Sequence, residues 1–336
     1  MSPRSAIGAM LVLCALVPFG VQAASEPPAS GSEQVSGFEQ VTGFEQGRMS
    51  DGTEVGIWYP TQGAPAHQLL GLYEQEAVMP STPVGSRLPL IVMSHGNGGA
   101  FSGHLDTAGA LARAGFVVAA LTHPGDNYRD QSRAAQVDAR PAALAALIDH
   151  MLDRWPSRGV IDPARIGAFG FSSGGFTVLA AAGGRPDLSR MRQHCADHPA
   201  YYDCNVIRSQ EQFLAMSFRF PARDARIRAL VVAAPALGFT FGPTGLSEVT
   251  VPVQLWKAGD DRILPAPLYA DAVRNALPGT PEFHEVPGAG HFDFLASCAS
   301  GAPQPPICAS APGFDRRIFH QHFNAEVVRF LSQQLR

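Results

Sequence analysis

Charged side chains are scarce in this chain. Asp, Glu, Lys and Arg make up 16% of its 336 residues, and the formal net charge is only −4 at neutral pH. The basic residues form no cluster, whereas proteins that bind nucleic acids or anionic membrane surfaces concentrate them on one face. The composition therefore argues against nucleic acid and against a charged lipid surface as partners.

A long apolar run is also lacking. The longest such stretch, Ile7–Phe19, is shorter than the span of about 20 residues that a transmembrane helix needs. Arg4 precedes it, and the small-residue segment Val21–Ala23 follows it, as in a cleavable secretory signal peptide. We predict a signal peptide at 1–24, export to the periplasm or the exterior, and no stable membrane anchor. An uncleaved anchor is the alternative.

Cysteine is rare, and export decides how its pattern is interpreted. Of five cysteines, Cys14 lies in the predicted signal peptide, and the other four form two close pairs: Cys195 with Cys204, and Cys298 with Cys308. In an oxidising compartment an even number of cysteines predicts disulfides, and local pairing is the simplest connectivity. Metal binding is the alternative, but neither pair has CxxC spacing or an accompanying histidine cluster. We expect two local disulfides and no metal.

Strand and helix patterns alternate along most of the chain. A polar linker at 25–34 leads into a predicted domain at 35–336, where a hexapeptide repeated at 35–40 and 41–46 is interpreted as an extension of the first strand. Strands are predicted at 44–49, 54–59, 88–93, 116–121, 165–171, 229–234, 251–256 and 282–286. Helices are predicted at 105–114, 134–155, 174–182, 267–276 and 319–335. This alternation is typical of an α/β fold whose central sheet is mostly parallel and carries helices on both faces.

One segment, at about 184–226, interrupts the alternation. It is rich in aromatic residues and methionine: Met191, Tyr201, Tyr202, Phe213, Met216, Phe218 and Phe220. We predict a helical cap insertion here. Its apolar side chains either line a pocket or only pack the insertion onto the core.

The segment Gly170–Gly174 matches the pattern G-x-S-x-G and lies between a predicted strand and a predicted helix. A strand, a sharp turn and a helix in this order form the nucleophile elbow of serine hydrolases, in which glycines flank a serine on a strained turn. We predict Ser172 as the nucleophile. Ser173 is the rival, but the residue two positions before it is the bulky Phe171.

A serine hydroxyl needs a base to remove its proton, and that base needs an acid to orient it. In this fold class the order along the chain is serine, acid, histidine. His291 lies in a loop of small residues before the last helix, and we predict it as the base, against the alternative of a solvated loop histidine. Asp260 and Asp261 both follow the strand at 251–256. Asp261 is preferred because it directly precedes the next segment, which leaves Asp260 as a solvated turn residue.

Catalysis of this kind also needs donors for a developing oxyanion. We predict the backbone N–H groups of Ser173, directly after the nucleophile, and of Asn97, within the glycine-rich segment Ser94–Gly99. A phosphate-binding loop is the alternative interpretation of that segment, but no Gly-Lys-Ser/Thr ending follows it.

Four segments together carry a resemblance to a known family: His95–Gly99, Gly170–Gly175, Asp261–Pro265 and Gly290–Phe292. In these segments the chain resembles the bacterial dienelactone-hydrolase-like and platelet-activating-factor-acetylhydrolase-like α/β-hydrolases. The resemblance implies an α/β-hydrolase fold. We expect no cofactor.

The predicted activity is hydrolysis of carboxylic esters with small to medium acyl groups through an acyl-enzyme, so the expected partner is a small-molecule ester. An amidase, a peptidase or a lactone hydrolase would use the same three residues. A non-catalytic binding protein on a hydrolase scaffold is a further alternative. Nothing in the sequence predicts an oligomeric state.

Overall fold

The computed structural model describes residues 40–210 and 217–336. The predicted signal peptide, the polar linker and the first copy of the hexapeptide up to residue 39 lie outside the described residues. Within the described ranges, no helix is long and apolar enough to cross a membrane.

Ten strands are present in the described part of the chain. They are β1 (Val41–Arg48), β2 (Glu54–Thr61), β3 (Ala66–Leu70), β4 (Tyr73–Ala77), β5 (Leu88–Ser94), β6 (Val117–Leu121), β7 (Ile161–Phe171), β8 (Ile227–Ala233), β9 (Val253–Ala258) and β10 (Glu282–Val286). Eight of them form one sheet in the order β1-β2-β6-β5-β7-β8-β9-β10. The β1–β2 and β2–β6 pairs are antiparallel, and every other neighbouring pair is parallel. The sheet is therefore mostly parallel, as predicted.

Helices cover both faces of this sheet. The described residues form α1 (Leu105–Arg113), α2 (Ala139–Asp149), α3 (Ser173–Ala181), α4 (Arg190–Asp197), α5 (Tyr202–Arg208), α6 (Ala270–Ala276) and α7 (Arg316–Gln334). Alternate residues of a strand point to opposite faces. In β6, Val117 and Ala119 belong to the core cluster that includes residues of α2, α3 and α6, whereas Val118 and Ala120 belong to the cluster that includes residues of α1 and α7. The fold class predicted from the sequence is confirmed.

The predicted cap forms two short helices, α4 and α5, which the Cys195–Cys204 disulfide joins. Met191 and Cys204 are buried, while Tyr202 at the start of α5 is 40% exposed. Phe213 and Met216 lie outside the described residues. Phe220 packs against Phe176 of α3, with ring centroids 5.9 Å apart.

Two local predictions were incomplete. The predicted helix at 134–155 begins only at Ala139 and ends in a wider π-helical turn at His150–Arg154. Pro141 lies in the first turn of α2, the one place in a helix where its missing N–H costs nothing, so the helix cannot begin a turn earlier without a break. The hairpin of β3 and β4 was not predicted. Gly71 in its two-residue turn has φ +68°, the left-handed backbone that such turns require.

Candidate active site

Ser172 lies on the sharp turn between β7 and α3. Its backbone has φ +55° and ψ −119°, a strained combination for a residue with a side chain, and such strain costs about 1–3 kcal/mol. A side chain at Gly170 would overlap the backbone of Gly174, and one at Gly174 would overlap the backbone of Ser94. Both glycines are therefore required by the close approach of α3 to β5 and β7.

His291 and Asp261 lie in hydrogen-bonding sequence with this serine. His291 Nε2 is 2.9 Å from Ser172 Oγ, and His291 Nδ1 is 2.7 Å from Asp261 Oδ2. A carboxylate can only accept, so Nδ1 carries the hydrogen and Nε2 is free to accept the serine proton. The side chains of His291 and Asp261 are 3% and 7% exposed, which shields both contacts from water.

The second oxygen of Asp261 is held by the backbone. Oδ1 accepts hydrogen bonds from the N–H groups of Ile263 at 2.9 Å and Leu264 at 2.7 Å. Asp260 is exposed, and its backbone N–H donates to Ala289. Of the two competing aspartates, the structure brings Asp261 to the imidazole and leaves Asp260 in solvent.

The two predicted oxyanion donors border the same cavity as Ser172. Ser173 is the first residue of α3, so its N–H has no intrahelical acceptor and lies at the positive end of the helix dipole. Among the described residues, the backbone N–H of Asn97 has no hydrogen-bond acceptor either. The two residues that carry these unbonded N–H groups therefore both line the cavity that Ser172 borders.

A buried ion pair that the sequence analysis missed holds the Asn97 loop. One oxygen of Asp126 accepts from the Asn97 side-chain amide at 2.6 Å and from the Gly98 N–H at 2.9 Å. The other oxygen accepts from Arg140 at 2.5 Å, and both partners of the pair have only 3% of their side chains exposed. The side-chain oxygen of Asn97 accepts a 2.6 Å hydrogen bond from the hydroxyl of Tyr202 in the cap. Asn97 is thereby fixed between the sheet and the cap.

The position of Asp126 in the sequence is one indication of its role. It follows the carboxyl end of β6, the same edge of the sheet at which Ser172, Asp261 and His291 follow their own strands, and polar residues at this edge gather at one place. No sequence pattern indicates the role of Arg140, because an arginine early in a helix is ordinarily exposed.

His95 lies behind the same loop. Burial, reinforced by the nearby Arg140 cation, lowers the pKa of His95 to about 4, so the ring is neutral at neutral pH. Its Nδ1–H donates to the Gly96 carbonyl at 2.6 Å, and its Nε2 accepts from the N–H of His123 at 2.9 Å. Both ring nitrogens are therefore engaged in hydrogen bonds that hold the glycine-rich loop, and neither is bonded to Ser172.

The cavity next to Ser172 is small and mostly apolar. Its volume is about 50 Å³, and the cap supplies Met191, Tyr202, Val206 and Ile207 to its wall. One water-sized group needs at least about 10–15 Å³ of such space, so the cavity has room for only a few heavy atoms. Two of the predicted cap side chains, Met191 and Tyr202, line this pocket, whereas Phe220 packs the insertion onto the core.

Both cysteine pairs are joined as disulfides, Cys195 to Cys204 and Cys298 to Cys308. Cys204 lies close to His194 and Asp203, a grouping that resembles a set of metal ligands. Its sulfur is bonded to Cys195, however, and a disulfide sulfur is not the thiolate that binds zinc.

Comparisons with known proteins agree with this architecture. The model of the alpha/beta hydrolase family matches residues 91–300, more than half of the chain. A search of curated proteins gave no significant match. The matched region runs from β5 through the serine turn to the segment after His291. The chain therefore belongs to the alpha/beta hydrolase family.

Proposed function

We propose that this hydrolase is a serine esterase that cleaves small-molecule carboxylic esters through an acyl-enzyme. The observation that carries the proposal is the buried hydrogen-bonded sequence Ser172–His291–Asp261, with contacts of 2.9 and 2.7 Å. An isolated serine hydroxyl is a poor nucleophile, and an imidazole oriented by a carboxylate is the arrangement that activates it.

Each residue has a defined role in the proposed reaction. Ser172 Oγ attacks the ester carbonyl while His291 Nε2 takes its proton, and the oxygen that becomes negative is stabilised by the N–H groups of Asn97 and Ser173. His291 then returns the proton to the alcohol oxygen as the C–O bond breaks, which leaves the acyl group on Ser172. In the second step a water molecule gives a proton to His291 and attacks the acyl carbon. His291 then returns that proton to Ser172 Oγ as the acyl–oxygen bond breaks, which releases the carboxylic acid and restores the serine. Asp261 keeps the imidazole in the tautomer that both steps need.

The size of the cavity limits the acyl group. About 50 Å³ beside Ser172 suits an acetyl to butyryl chain. Each buried methylene adds about 0.8 kcal/mol of binding free energy until the cavity is full. We expect activity on dissolved p-nitrophenyl acetate and butyrate and little on emulsified long-chain triglyceride. A strong preference for long-chain emulsions, or for lactones or amides of the same acyl size, would overturn the assignment to small esters.

Labelling with a fluorophosphonate probe tests the nucleophile. The wild-type protein should be labelled at Ser172, and Ser172→Ala should lose both labelling and nearly all turnover. Ser173→Ala is the matched control, because its backbone N–H remains in place. A wild-type protein that is folded but unlabelled would identify a non-catalytic scaffold, and loss of labelling in Ser173→Ala alone would move the nucleophile by one residue.

We also propose that the protein is exported, with 1–24 removed. The two disulfides support this proposal, because such bonds persist in oxidising compartments and are rare in the cytosol. Intact mass and non-reducing peptide mapping of the protein from a periplasmic or culture fraction test it. Four free thiols, or a mass that still includes 1–24, would contradict it.

A further inference from the structure

A second cavity, larger than the one beside Ser172, opens on the other side of the glycine-rich loop. Its volume is about 420 Å³. Its walls come from the turn of the β3–β4 hairpin (residues 69–73), the loop at 95–103, and the segment after His291 that includes Phe292, Leu295 and Ile307. We call this cavity the hairpin cleft. The small cavity has room for a short acyl chain only, so the hairpin cleft is where a larger substrate portion fits.

The walls of the hairpin cleft are tied to one another. The Ala299 N–H donates to the Leu72 carbonyl at 2.8 Å, and a β-bridge joins Tyr73 to Cys298, which is itself bonded to Cys308. On the opposite wall, the Ala296 N–H donates to the Gly103 carbonyl at 3.0 Å. These contacts fix the hairpin, the loop at 95–103 and the disulfide segment as one preformed surface.

The hairpin cleft adjoins the base. Phe171 and Phe292 both line it, and their rings lie against the His291 imidazole with centroids 4.8 and 5.5 Å away. In ester cleavage the imidazolium must deliver its proton to the oxygen of the departing alcohol, so the alcohol lies on the side of the histidine. Asn97 borders both cavities, which places the proposed oxyanion donor between the acyl side and the alcohol side.

The lining of the hairpin cleft indicates what kind of alcohol it takes. Leu69 and Tyr128 stand on its rim and are 60% and 56% exposed, an unusual exposure that a bound apolar group would cover. The lining holds two charged side chains that are already paired: Glu54 accepts from Arg129 at 3.2 Å, and also from Arg48 outside the lining at 2.7 Å. Such a surface favours an uncharged ligand over an anion or a cation.

We propose that the hairpin cleft binds the alcohol half of the substrate, a bulky, uncharged and largely apolar alcohol esterified to a short acyl group. This inference rests on the proposed esterase function and assigns its leaving-group side. The enzyme then selects esters by the size of their alcohol far more than by the size of their acyl group.

The test measures kcat/KM for two ester series on the wild-type protein. The first varies the alcohol at constant acyl group: ethyl, 2-phenylethyl and 2-(2-naphthyl)ethyl acetate, whose primary alcohols have closely similar acidity. The second lengthens the acyl chain of ethyl esters from acetate to octanoate. We expect kcat/KM to rise about tenfold or more along the alcohol series, because binding of an added apolar group is worth about 10–200-fold in a fitting pocket. Along the acyl series it should fall beyond butyrate.

Rim variants connect this preference to the hairpin cleft. Leu69→Ala and Tyr128→Ala should each lower the naphthylethyl-to-ethyl ratio of kcat/KM by about threefold to tenfold. Met79→Ala is the matched control, since Met79 is an apolar side chain with 52% exposure outside the cleft, and its ratio should stay at the wild-type value.

The possible outcomes separate the two proposals. A flat alcohol series, or rim variants that leave the ratio unchanged, would overturn the assignment of the cleft while esterase activity remains. A rise along the acyl series with a flat alcohol series would place the acyl chain in the cleft and overturn it as well. Absence of hydrolysis of every ester, together with absence of fluorophosphonate labelling, would instead remove the proposed function on which the inference rests.

Discussion

Replacing Asp261 by asparagine tests the role of the carboxylate without changing its shape. In the wild-type protein one carboxylate oxygen accepts two backbone N–H groups, of Ile263 and Leu264, and the other accepts from the imidazole. Asparagine has a single acceptor oxygen. If its NH₂ faced the two backbone donors, both would be buried without an acceptor, at about 1–3 kcal/mol each. The side-chain oxygen therefore stays on the backbone, and the NH₂ faces His291.

The consequence falls on the tautomer of the imidazole. An NH₂ group beside Nδ1 can only donate, so Nδ1 must accept and the ring hydrogen moves to Nε2. That nitrogen is 2.9 Å from Ser172 Oγ and can then no longer take the serine proton. In serine proteases the equivalent change lowers turnover about 10⁴-fold, which is about 5.5 kcal/mol of transition-state stabilisation at 1.36 kcal/mol per decade. We expect a loss of the same order here.

The assay is kcat/KM on p-nitrophenyl butyrate, with the melting temperature as a check on folding. Asp261→Asn should melt within a few degrees of the wild-type protein, because both backbone hydrogen bonds to its side chain remain. Asp260→Asn is the control, since that side chain is exposed and its backbone contact to Ala289 does not depend on it. A folded Asp261→Asn with more than a tenth of wild-type activity, or equal losses at both positions, would refute the reasoning.

Three further predictions concern the surroundings of the site. Replacing Cys298 and Cys308 by serine removes a loop constraint and should lower the unfolding free energy by about 2.5–3 kcal/mol. The melting temperature should fall by roughly 5 °C, and kcat/KM should also decrease. An unchanged melting temperature together with an unchanged kcat/KM would contradict this prediction. Burial lowers the pKa of His104 to about 3. Between pH 6.5 and 3 the unfolded chain therefore takes up a proton that the folded protein does not, and the stability of the fold decreases as the pH falls. His104→Gln should show a smaller drop in melting temperature between pH 7 and 4 than the wild-type protein, and an identical drop would exclude this histidine as a cause. Tyr202→Phe removes the hydrogen bond to Asn97 and should lower kcat about threefold to tenfold, as expected for about 1 kcal/mol, with little change in stability; an effect on melting temperature alone would assign the contact to folding.

The sequence predicted the sheet well because its strands are buried on both faces. The run at 117–121 is apolar at every position, and a continuous apolar stretch between turn residues is a strong indication of an interior strand. The serine turn was predictable for a similar reason. Glycine is required at positions 170 and 174 because the backbone approaches too closely there for any side chain. The steric requirement is therefore visible in the sequence as the G-x-S-x-G motif.

Other parts depended on contacts that no local pattern records. The β3–β4 hairpin carries polar and charged residues on exposed strands, so its alternation is weak, although Gly71 marks its turn. The pairing of Arg140 with Asp126 joins two segments that become neighbours only when β6 and α2 pack against the sheet. The choice between Asp260 and Asp261 as the partner of the histidine also depends on the three-dimensional structure, because the backbone turn after β9 sets the direction in which each side chain points.

The two disulfides have a consequence for how this molecule can be altered. Each joins cysteines only 9 or 10 residues apart, so each bond closes a small ring within one wall of the site and reaches no strand of the large sheet. Cys195–Cys204 fastens the cap over the small cavity, and Cys298–Cys308 fastens the segment beside the hairpin turn. Neither ring is independent of its surroundings, because Tyr202 in the first donates to Asn97 and Cys298 in the second forms a β-bridge with Tyr73. Substitutions at these contacts therefore act on the walls of the two cavities, whereas pairing within the large sheet sets the register of β7 to β10.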